Sequence, residues 1–248
     1  MAGQTTADYV VLSGGEMSKI EIMQGDCLEV MRGFEDNQFD LVITSPPYNL
    51  GNNHHTNTVK HNPYDDNMDE QEYQRWQISV MNECFRICKD SMLYNHQNRI
   101  KNGSTITPYE WILKTCWILK QEIVWNRRSP NMDKCRFFPF TERIYWLSRN
   151  KETGFFNRAN LTDDLHISPV GLNNEHSRQY PVRIPKNIVE CFPENYTILD
   201  PFLGSGTTAV ACERMGRNCV GIEISPEYCE IARKRVQEEK DKMGLFPE

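Results

Sequence analysis

Short apolar segments alternate along the chain with longer segments whose apolar residues recur every three or four positions. The first pattern is typical of buried strands, and the second of amphipathic helices. Strands are predicted near residues 20–24, 40–44, 91–95, 121–125, 142–148, 197–200 and 218–223. Helices are predicted near residues 69–88, 107–118, 184–191, 207–215 and 226–241. This alternation indicates an α/β fold, with a mostly parallel twisted sheet and helices on both of its faces.

The size of the chain fits one such domain. It has 248 residues, of which 39% are hydrophobic, enough for a sizeable core. We expect a single domain over residues 17–248, preceded by a tail over residues 1–16 in which no period is evident. No apolar run approaches the roughly 20 residues that span a bilayer. The first residues also lack the basic and apolar regions of a secretory signal.

The strand predicted at 40–44 ends in the unusual run Thr44-Ser45-Pro46-Pro47-Tyr48. The two prolines fix the backbone and remove two N–H donors, so the backbone here presents only carbonyl acceptors. Ser45 adds a hydroxyl, and Tyr48 adds a flat ring beside those acceptors. Such a site suits a planar substrate that carries an amine, such as a nucleobase.

A second motif lies near the other end of the chain. After the strand predicted at 197–200, the sequence continues Pro201-Phe202-Leu203-Gly204-Ser205-Gly206-Thr207-Thr208. This pattern predicts a glycine turn and then a helix that begins near Thr207. The glycines let a ligand approach the backbone, and the helix N-terminus favours electron-rich groups. Glu223 ends the next predicted strand, near the spacing from Asp200 at which an acid meets ribose hydroxyls in nucleotide-binding units.

This glycine turn lacks the chemistry of a phosphate-binding loop. The Walker pattern requires a lysine after its second glycine, whereas Gly206 is followed by Thr207. The glycines also miss the spacing of the dinucleotide fingerprint, and a carboxylate at Asp200 would repel a pyrophosphate. A P-loop NTPase is therefore rejected. A ligand with cationic groups and a ribose but no phosphate, such as S-adenosylmethionine, is favoured.

Together, the Thr-Ser-Pro-Pro-Tyr and Asp-Pro-Phe-Leu-Gly-Ser-Gly-Thr-Thr motifs resemble those of the DNA amino-methyltransferases. Their order, catalytic motif first and cofactor motif last, is similar to the beta group of that family. The resemblance implies a Rossmann-like, circularly permuted methyltransferase fold, with S-adenosylmethionine as cofactor and double-stranded DNA as substrate. The implied catalytic residues are Ser45, Pro46, Pro47 and Tyr48. The implied cofactor-binding residues are Asp26, Cys27, Asp200, Pro201, Phe202, Gly204, Ser205, Gly206, Thr207, Thr208, Glu223 and Ile224.

Two of these correspondences leave alternatives open. Asp26 resembles the family's strand-end acid that meets the cofactor adenine, but it is also a good N-cap for a short helix over residues 27–31. The segment 176–181 resembles the one that closes over the methionine part of the cofactor. An ordinary turn before a helix fits that segment equally well.

The resemblance also implies the reaction. A methyl group would pass directly from S-adenosylmethionine to the exocyclic amine of a base flipped out of the duplex. The Ser45 hydroxyl and the Pro46 carbonyl are the candidate acceptors for the amine hydrogens. In this family, serine before Pro-Pro-Tyr is more typical of cytosine-N4 enzymes, so cytosine N4 is favoured and adenine N6 stays as the alternative. An RNA or protein-amide methyltransferase and a non-catalytic nucleic-acid-binding module are further alternatives.

The charge distribution is compatible with DNA binding despite a net charge of −6. Residues 120–190 carry 12 Lys and Arg against 8 Asp and Glu, so this stretch is locally basic. Phosphate contacts are expected from the positions Arg127, Arg128, Lys134 and Arg136. Residues 150–175 lie where the family carries its target-recognition region, here a short insertion. Residues 49–68 are rich in Asn and His and predict a long mobile loop.

The nine cysteines are scattered and form no Cys-x-x-Cys pair, which favours reduced thiols and a cytoplasmic location. None is required as a nucleophile, because no Pro-Cys motif of the carbon-5 cytosine enzymes occurs. His54, His55 and His61 lack companion ligands at a useful spacing, so no metal is expected. A companion restriction endonuclease and a homodimer are partners that the resemblance leaves open.

Overall fold

The fold is built on an eight-stranded sheet and a separate two-stranded hairpin. The structure is a computed structural model that describes residues 18–51, 66–128, 137–154, 157, 162–168 and 181–245. The ten strands are β1 (Ile20–Gln24), β2 (Phe39–Thr44), β3 (Cys88–His96), β4 (Arg99–Lys101), β5 (Ser104–Ile106), β6 (Ile118–Asn126), β7 (Thr141–Ser148), β8 (Asp164–His166), β9 (Ile198–Asp200) and β10 (Cys219–Glu223). The six helices are α1 (Cys27–Met31), α2 (Glu70–Ile87), α3 (Tyr109–Ile112), α4 (Arg183–Val189), α5 (Thr207–Arg214) and α6 (Pro226–Leu245).

The strand order in the large sheet is β1-β10-β9-β2-β3-β7-β6-β8. The first five strands run parallel, β7 is antiparallel to both of its neighbours, and β8 is parallel to β6. The predicted α/β class and the mostly parallel Rossmann-like sheet are therefore confirmed. The two motif strands, β2 and β9, are neighbours in the sheet although about 150 residues separate them in the chain.

Helices cover both faces of this sheet, because alternate residues of each strand point to opposite sides. Leu41 and Ile43 of β2 pack in the cluster that contains α4, α5 and α6. Val42, between them, packs in the cluster that contains α1, α2 and α3. Strand β9 repeats this division with Ile198 on the first side and Leu199 on the second.

Helix α2 illustrates how local signals agree with this packing. Asp69 caps its first turn by accepting from the backbone N–H groups of Gln71 and Glu72. Its buried positions recur at helical spacing, so one face of the helix is covered by the sheet. Those positions are Tyr73, Gln77, Val80, Met81, Cys84 and Ile87.

Three parts of the predicted element map require correction or addition. The helix predicted at 107–118 is wrong in extent, since α3 covers only Tyr109–Ile112 and β6 already begins at Ile118. Trp111 and Trp117 are buried on the α2 side, so the apolar spacing reflects packing rather than a continuous helix. The short strands β4, β5 and β8 were not predicted, because three residues are too few to carry a period.

The carboxyl ends of β2, β9 and β10 meet at one edge of the sheet. Thr44, Asp200 and Glu223 are the last residues of these three parallel strands. In open α/β sheets, this edge is where ligands bind. The placement of both sequence motifs at strand ends is confirmed.

Candidate active site

The proline turn after β2 forms a compact polar corner. The Oγ of Ser45 lies 2.8 Å from the hydroxyl oxygen of Tyr48. Pro46 is buried, whereas Ser45 and Tyr48 are partly exposed. The Tyr48 ring packs on His96, with 4.5 Å between the ring centroids. The turn thus presents a hydroxyl and an aromatic ring together, as the sequence predicted.

A buried acid and amide lie behind this corner. The Tyr48 hydroxyl donates to Oε2 of Glu142 over 3.0 Å. The Asn95 amide nitrogen lies 2.5 Å from the Tyr48 hydroxyl and 3.1 Å from the same Glu142 oxygen. Arg127 donates to the other carboxylate oxygen over 3.2 Å. Glu142 is only 8% exposed, and these three donors hold its carboxylate group inside the protein.

A second polar group fixes the far side of the proline turn. The Tyr73 hydroxyl donates to the carbonyl oxygen of Pro47 over 2.6 Å and lies 2.8 Å from Nε2 of His96. Burial lowers the pKa of His96 to about 3, so its imidazole is neutral. Helix α2 and strand β3 therefore hold the turn through neutral hydrogen bonds.

The glycine turn after β9 is organised around Asp200, which is 4% exposed. One carboxylate oxygen accepts from the Thr44 hydroxyl over 2.8 Å and from the Phe202 N–H over 3.0 Å. The other accepts from the Thr208 hydroxyl over 2.6 Å. Burial raises the pKa of Asp200 to about 6. Asp200 thereby joins β2, its own turn and the start of α5.

Glu223 plays a similar part at the end of β10. Its carboxylate accepts from the backbone N–H groups of Gly204 and Ser225, each over 2.8 Å. Ser225 in turn caps α6 by accepting from the Tyr228 N–H over 3.3 Å. The acid thus ties the glycine turn to the next strand, and Ile224 follows it at a half-buried position.

The two glycines of the turn have different reasons for lacking a side chain. Gly206, at φ +88°, packs so closely on α6 that an added Cβ would lie 2.7 Å from the Cβ of Ala232. Gly204, at φ +52°, has no atom of the described residues within 4 Å of an added Cβ. Only Gly204 borders open space, so it is the position at which a ligand can approach the backbone.

The remaining residues predicted for the cofactor lie around this edge. Arg235 of α6 donates to the carbonyl and hydroxyl oxygens of Ser205, and lies 3.4 Å from the hydroxyl of Thr207. Pro201 is buried, and Phe202 packs edge-on against Trp76 at 5.5 Å. These contacts use Ser205 and Thr207 to attach the turn to α6.

Asp26 and Cys27 follow β1, whose last residue pairs in register with Glu223. Asp26 caps α1 by accepting from the N–H groups of Leu28 and Glu29, so the predicted capping role is confirmed. Burial, with a smaller contribution from the Asp26 charge, raises the pKa of Cys27 to about 12 and keeps its thiol neutral.

The predicted DNA-binding positions divide into three cases. Arg127 pairs with Glu142, as described above. Arg128 is exposed at the end of β6. Lys134 and Arg136 lie outside the described residues, as do residues 176–180, half of residues 150–175, and the three loop histidines. In the part of the chain that the structure describes, no group of three or more His, Cys, Asp or Glu residues could hold a metal ion.

Sequence reasoning missed the groups that surround the proline turn. Asn95 and His96 end β3, and Glu142 is the second residue of β7. The polar pair Asn-His directly after Met-Leu-Tyr was a usable signal, since polar residues at a strand end mark the ligand edge. Nothing local distinguishes Glu142 from Glu122, an acid that pairs with Arg143 on the adjacent strand.

The chemistry of this edge fits S-adenosylmethionine. The turn presents open backbone at Gly204, an aromatic ring at Phe202 and buried carboxylates at Asp200 and Glu223. A ligand with a ribose and cationic groups suits such surroundings, whereas a pyrophosphate does not. Because both Asp200 oxygens already accept hydrogen bonds, that residue acts mainly by shaping the turn.

Comparisons with known proteins agree with this chemistry. A family model described as DNA methylase matches residues 39–234. The type II methyltransferase M.ScaI of Streptomyces caespitosus is 27% identical over 90% of this chain and 83% of its own length. The type II methyltransferase M.HinfI of Haemophilus influenzae is 28% identical over 88% of this chain and 68% of its own length.

Solved structures share the fold at low sequence identity. The cytosine-N4-specific PvuII DNA methyltransferase has a TM-score of 0.72 and 20% identity, and the match covers 91% of each chain. The M1.HpyAVI–SAM complex has a TM-score of 0.62 and 21% identity, over 88% of this chain and 98% of that one. The implied relationship to the DNA amino-methyltransferases is confirmed by the family model and the type II relatives. The chain belongs to the DNA methylase family of N6 and N4 amino-methyltransferases, and it is an S-adenosylmethionine-dependent DNA methyltransferase.

Proposed function

We propose that this enzyme methylates the exocyclic N4 amine of a cytosine that is flipped out of duplex DNA. Ser45, Pro46, Pro47 and Tyr48 form the catalytic corner, and the turn after β9 with Glu223, Ile224, Asp26 and Cys27 surrounds the cofactor. One observation carries the proposal: the Thr44 hydroxyl bonds to Asp200 over 2.8 Å, so the residue before Ser45 touches the residue that opens the glycine turn. Amine acceptor and methyl donor would then face each other across a short gap.

The difficulty of the reaction lies in the nucleophile. S-adenosylmethionine supplies a methyl that is already activated on a sulfonium with a neutral thioether as leaving group. An exocyclic amine is a poor nucleophile because its lone pair is delocalised into the ring. The Ser45 hydroxyl oxygen and the Pro46 carbonyl would accept the amine hydrogens and stabilise the positive charge that develops on nitrogen. This mechanism relies on position and preorganised dipoles, and it needs no covalent intermediate.

The Tyr48 ring is the proposed stacking surface for the flipped base. One side of the ring packs on His96, and its hydroxyl is anchored to Glu142. The ring is therefore held in one orientation while Tyr48 stays partly exposed. Stacking on an aromatic ring is worth about 1–3 kcal/mol per base, comparable with the few kcal/mol that flipping costs.

DNA contacts are proposed at the rim beside this corner. Arg128 is exposed there, and the segment 137–140 leads directly into β7 and Glu142. Phe137 is fully exposed, and Phe138 and Phe140 are nearly half exposed, which is unusual for phenylalanine. Cationic and aromatic groups together suit a nucleic acid with an extruded base. Lys134, Arg136 and the short recognition insertion at 150–175 remain proposals for the same surface.

Adenine N6 is the second candidate for the target amine. Both bases offer an amine beside a ring nitrogen, so the hydrogen-bond acceptors of the corner fit either one. Serine before Pro-Pro-Tyr and the cytosine-N4 specificity of the PvuII neighbour favour cytosine. The matches to type II methyltransferases further suggest a companion restriction endonuclease.

The product identifies the target directly. Plasmid DNA would be incubated with the enzyme and S-adenosylmethionine, digested to nucleosides, and analysed by mass spectrometry beside a Ser45→Ala control. N4-methylcytosine that depends on Ser45 is the expected product, whereas N6-methyladenine would establish the alternative. A tritiated methyl group that appears on RNA or protein but not on DNA would contradict the proposal.

The organisation of the protein in the cell is also a proposal. We infer one methyltransferase domain over residues 17–248, active as a monomer or a homodimer. The described cysteines are all free thiols, and seven of those eight are buried. Unpaired thiols are typical of a reducing compartment, which supports a cytoplasmic location. No helix among the described residues is long and apolar enough to cross a membrane.

A further inference from the structure

The hydrogen bonds behind the proline turn have a defined direction. Glu142 forms an ion pair with Arg127 over 3.2 Å, and a carboxylate in an ion pair can only accept from Tyr48 and Asn95, which lie at 3.0 and 3.1 Å. Because the one hydroxyl proton of Tyr48 is directed to Glu142, the Tyr48 oxygen can only accept from its other neighbours. Ser45, 2.8 Å away, must then be the donor in the Ser45–Tyr48 hydrogen bond.

Asn95 is oriented by the same acid. Its amide nitrogen faces Tyr48, Glu142 and Ser45, while its buried amide oxygen has no hydrogen-bond partner among the described residues. Rotating the amide by half a turn would bring that oxygen against the Glu142 carboxylate, which is unfavourable. Asn95 therefore keeps a donor directed at Glu142, while its amide oxygen stays unsatisfied among the described residues. A buried unsatisfied atom of this kind calls for a functional reason.

We propose that Glu142 is a positioning residue of the methyl transfer: through Tyr48, it turns the Ser45 hydroxyl so that a lone pair of its oxygen faces the target amine. This inference rests on the proposed function. Without the acid, the Ser45 and Tyr48 hydroxyls could reverse, and Ser45 would then present its proton to an amine that also carries protons. Glu142 lies behind Tyr48 and Asn95 and reaches Ser45 only through these two side chains.

Arg127 helps to fix the position of the Glu142 carboxylate. Arg127 donates to its second oxygen, so the acid keeps a counter-ion while its first oxygen serves Tyr48 and Asn95. A buried carboxylate with three donors stays in one geometry, which is the requirement for a preorganised acceptor. The inference gives Arg127 a place in the site in addition to any contact with DNA phosphate.

Glu142→Gln is the variant that tests the direction of the hydrogen bonds from Ser45 through Tyr48 to Glu142. Glutamine keeps the shape of the side chain but can donate to Tyr48 and so reverse the hydroxyls. We expect the single-turnover methylation rate on duplex DNA to fall about tenfold to a hundredfold, the range for loss of a charge-assisted hydrogen bond. The affinities for DNA and for S-adenosylmethionine should change less than about threefold, since no group that contacts either ligand is removed.

The chain offers a matched control. Glu122, on the strand next to β7, accepts from the Tyr109 hydroxyl over 2.5 Å and pairs with Arg143 over 2.7 Å, but it has no link to Ser45. Glu122→Gln alters a tyrosine–acid–arginine group of the same kind. It should leave the methylation rate unchanged.

A double-variant cycle separates positioning from a structural role. In a Ser45→Ala background, Glu142→Gln should lower the residual rate no further, because the group that it orients is gone. An equal fall in both backgrounds, or no fall in either, would overturn the inference. If thermal unfolding shows that Glu142→Gln does not fold, Tyr48→Phe is the second variant. It removes the hydroxyl that links Ser45 to Glu142. It should give the same loss of rate and the same non-additivity with Ser45→Ala.

The wild-type reaction, run in parallel, distinguishes a failure of the proposed function from a failure of the role assigned to Glu142. A wild-type enzyme that methylates no amine of DNA overturns the proposed function, and this inference with it. If the wild-type enzyme methylates DNA and Glu142→Gln does so at the same rate, only the role assigned to Glu142 is overturned.

Discussion

Thr44 and Asp200, 156 positions apart in the chain, are joined by a hydrogen bond of 2.8 Å between the threonine hydroxyl and the buried carboxylate. The bond crosses from β2 to β9, so it connects the strand that carries the proline turn to the strand that carries the glycine turn. Asp200 uses its other oxygen on Thr208 of α5. A single acid thus fixes the relative positions of the two halves of the active site.

The first prediction separates the shape of Asp200 from its charge. Asp200→Ala removes the acceptor that the Thr44 hydroxyl, the Thr208 hydroxyl and the Phe202 N–H share. We therefore expect the turn to lose its shape and S-adenosylmethionine binding to be abolished. Asp200→Asn keeps an oxygen for Thr44 and Phe202, and the Thr208 hydroxyl can rotate to accept from the new amide. Calorimetry should find that Asn retains most of the affinity. Unchanged affinity in the alanine variant would contradict this role.

The second prediction concerns stability and pH. The folded protein holds the pKa of Asp200 at about 6, above the ordinary value of 3.8. A raised folded-state pKa contributes stability that is complete below about pH 4 and is lost as the pH rises through about 6. The shift corresponds to roughly 3 kcal/mol as an order of magnitude. Relative to Asp200→Asn, the wild type should therefore lose stability as the pH rises from about 4 to about 6, and change little above that range. Urea unfolding at each pH measures this difference, and a constant difference would contradict it.

The third prediction divides the roles of Tyr48 between its ring and its hydroxyl. Tyr48→Ala removes the stacking surface, so both DNA affinity and turnover should fall, the former by about 1–3 kcal/mol if the ring stacks on the base. Tyr48→Phe keeps the ring and should preserve affinity while slowing turnover. Tyr109→Phe is the control, because Tyr109 also donates to a glutamate but lies outside the corner. Intact methylation of duplex DNA by Tyr48→Ala would refute the stacking role.

The fourth prediction contrasts the two glycines of the turn. Gly206→Ala forces a methyl to within 2.7 Å of Ala232, so thermal or urea unfolding should reveal a loss of about 1–3 kcal/mol or more. Gly204→Ala meets no atom and should cost only about 1 kcal/mol for its left-handed backbone. The alanine at 204 should instead weaken S-adenosylmethionine binding. The reverse order of stability losses, or full affinity in Gly204→Ala, would show that the open space is not the ligand side.

The fifth prediction tests the DNA surface. Arg128→Ala should weaken binding to all duplex sequences alike and reduce the slope of log affinity against log salt by about 1, as expected for loss of one phosphate contact. Lys234→Ala, on the exposed side of α6, serves as the control and should leave the slope unchanged. Titration of labelled duplexes at several salt concentrations measures both. A slope unaltered in Arg128→Ala would remove this residue from the interface.

Most of the fold follows from local sequence patterns. The predicted strands near 20–24, 40–44, 197–200 and 218–223 differ from β1, β2, β9 and β10 by at most one residue at each end, because apolar runs bounded by turn residues are strong local signals. The helix predicted at 107–118 was too long, because Trp111 in the short helix α3 and Trp117 beyond it are both buried at a spacing that resembles one continuous helix. The first residues of α1, α5 and α6 were predictable from neighbouring residues alone, since Asp26 and Ser225 cap α1 and α6 and the glycine turn ends at Gly206.

The active site likewise combines features that local sequence predicts with contacts that only the fold creates. The sequence by itself determined which residues end the central strands, since proline turns and glycine turns are local chemistry, and it indicated a methyl donor without phosphate. Only the tertiary structure decided that Thr44 meets Asp200, that Gly206 faces a helix while Gly204 faces open space, and that Glu142 rather than Glu122 lies behind Tyr48. These relationships depend on the order and register of strands that are distant in the chain. A hydrogen bond between such strands produces no repeating pattern of residues from which it could be predicted.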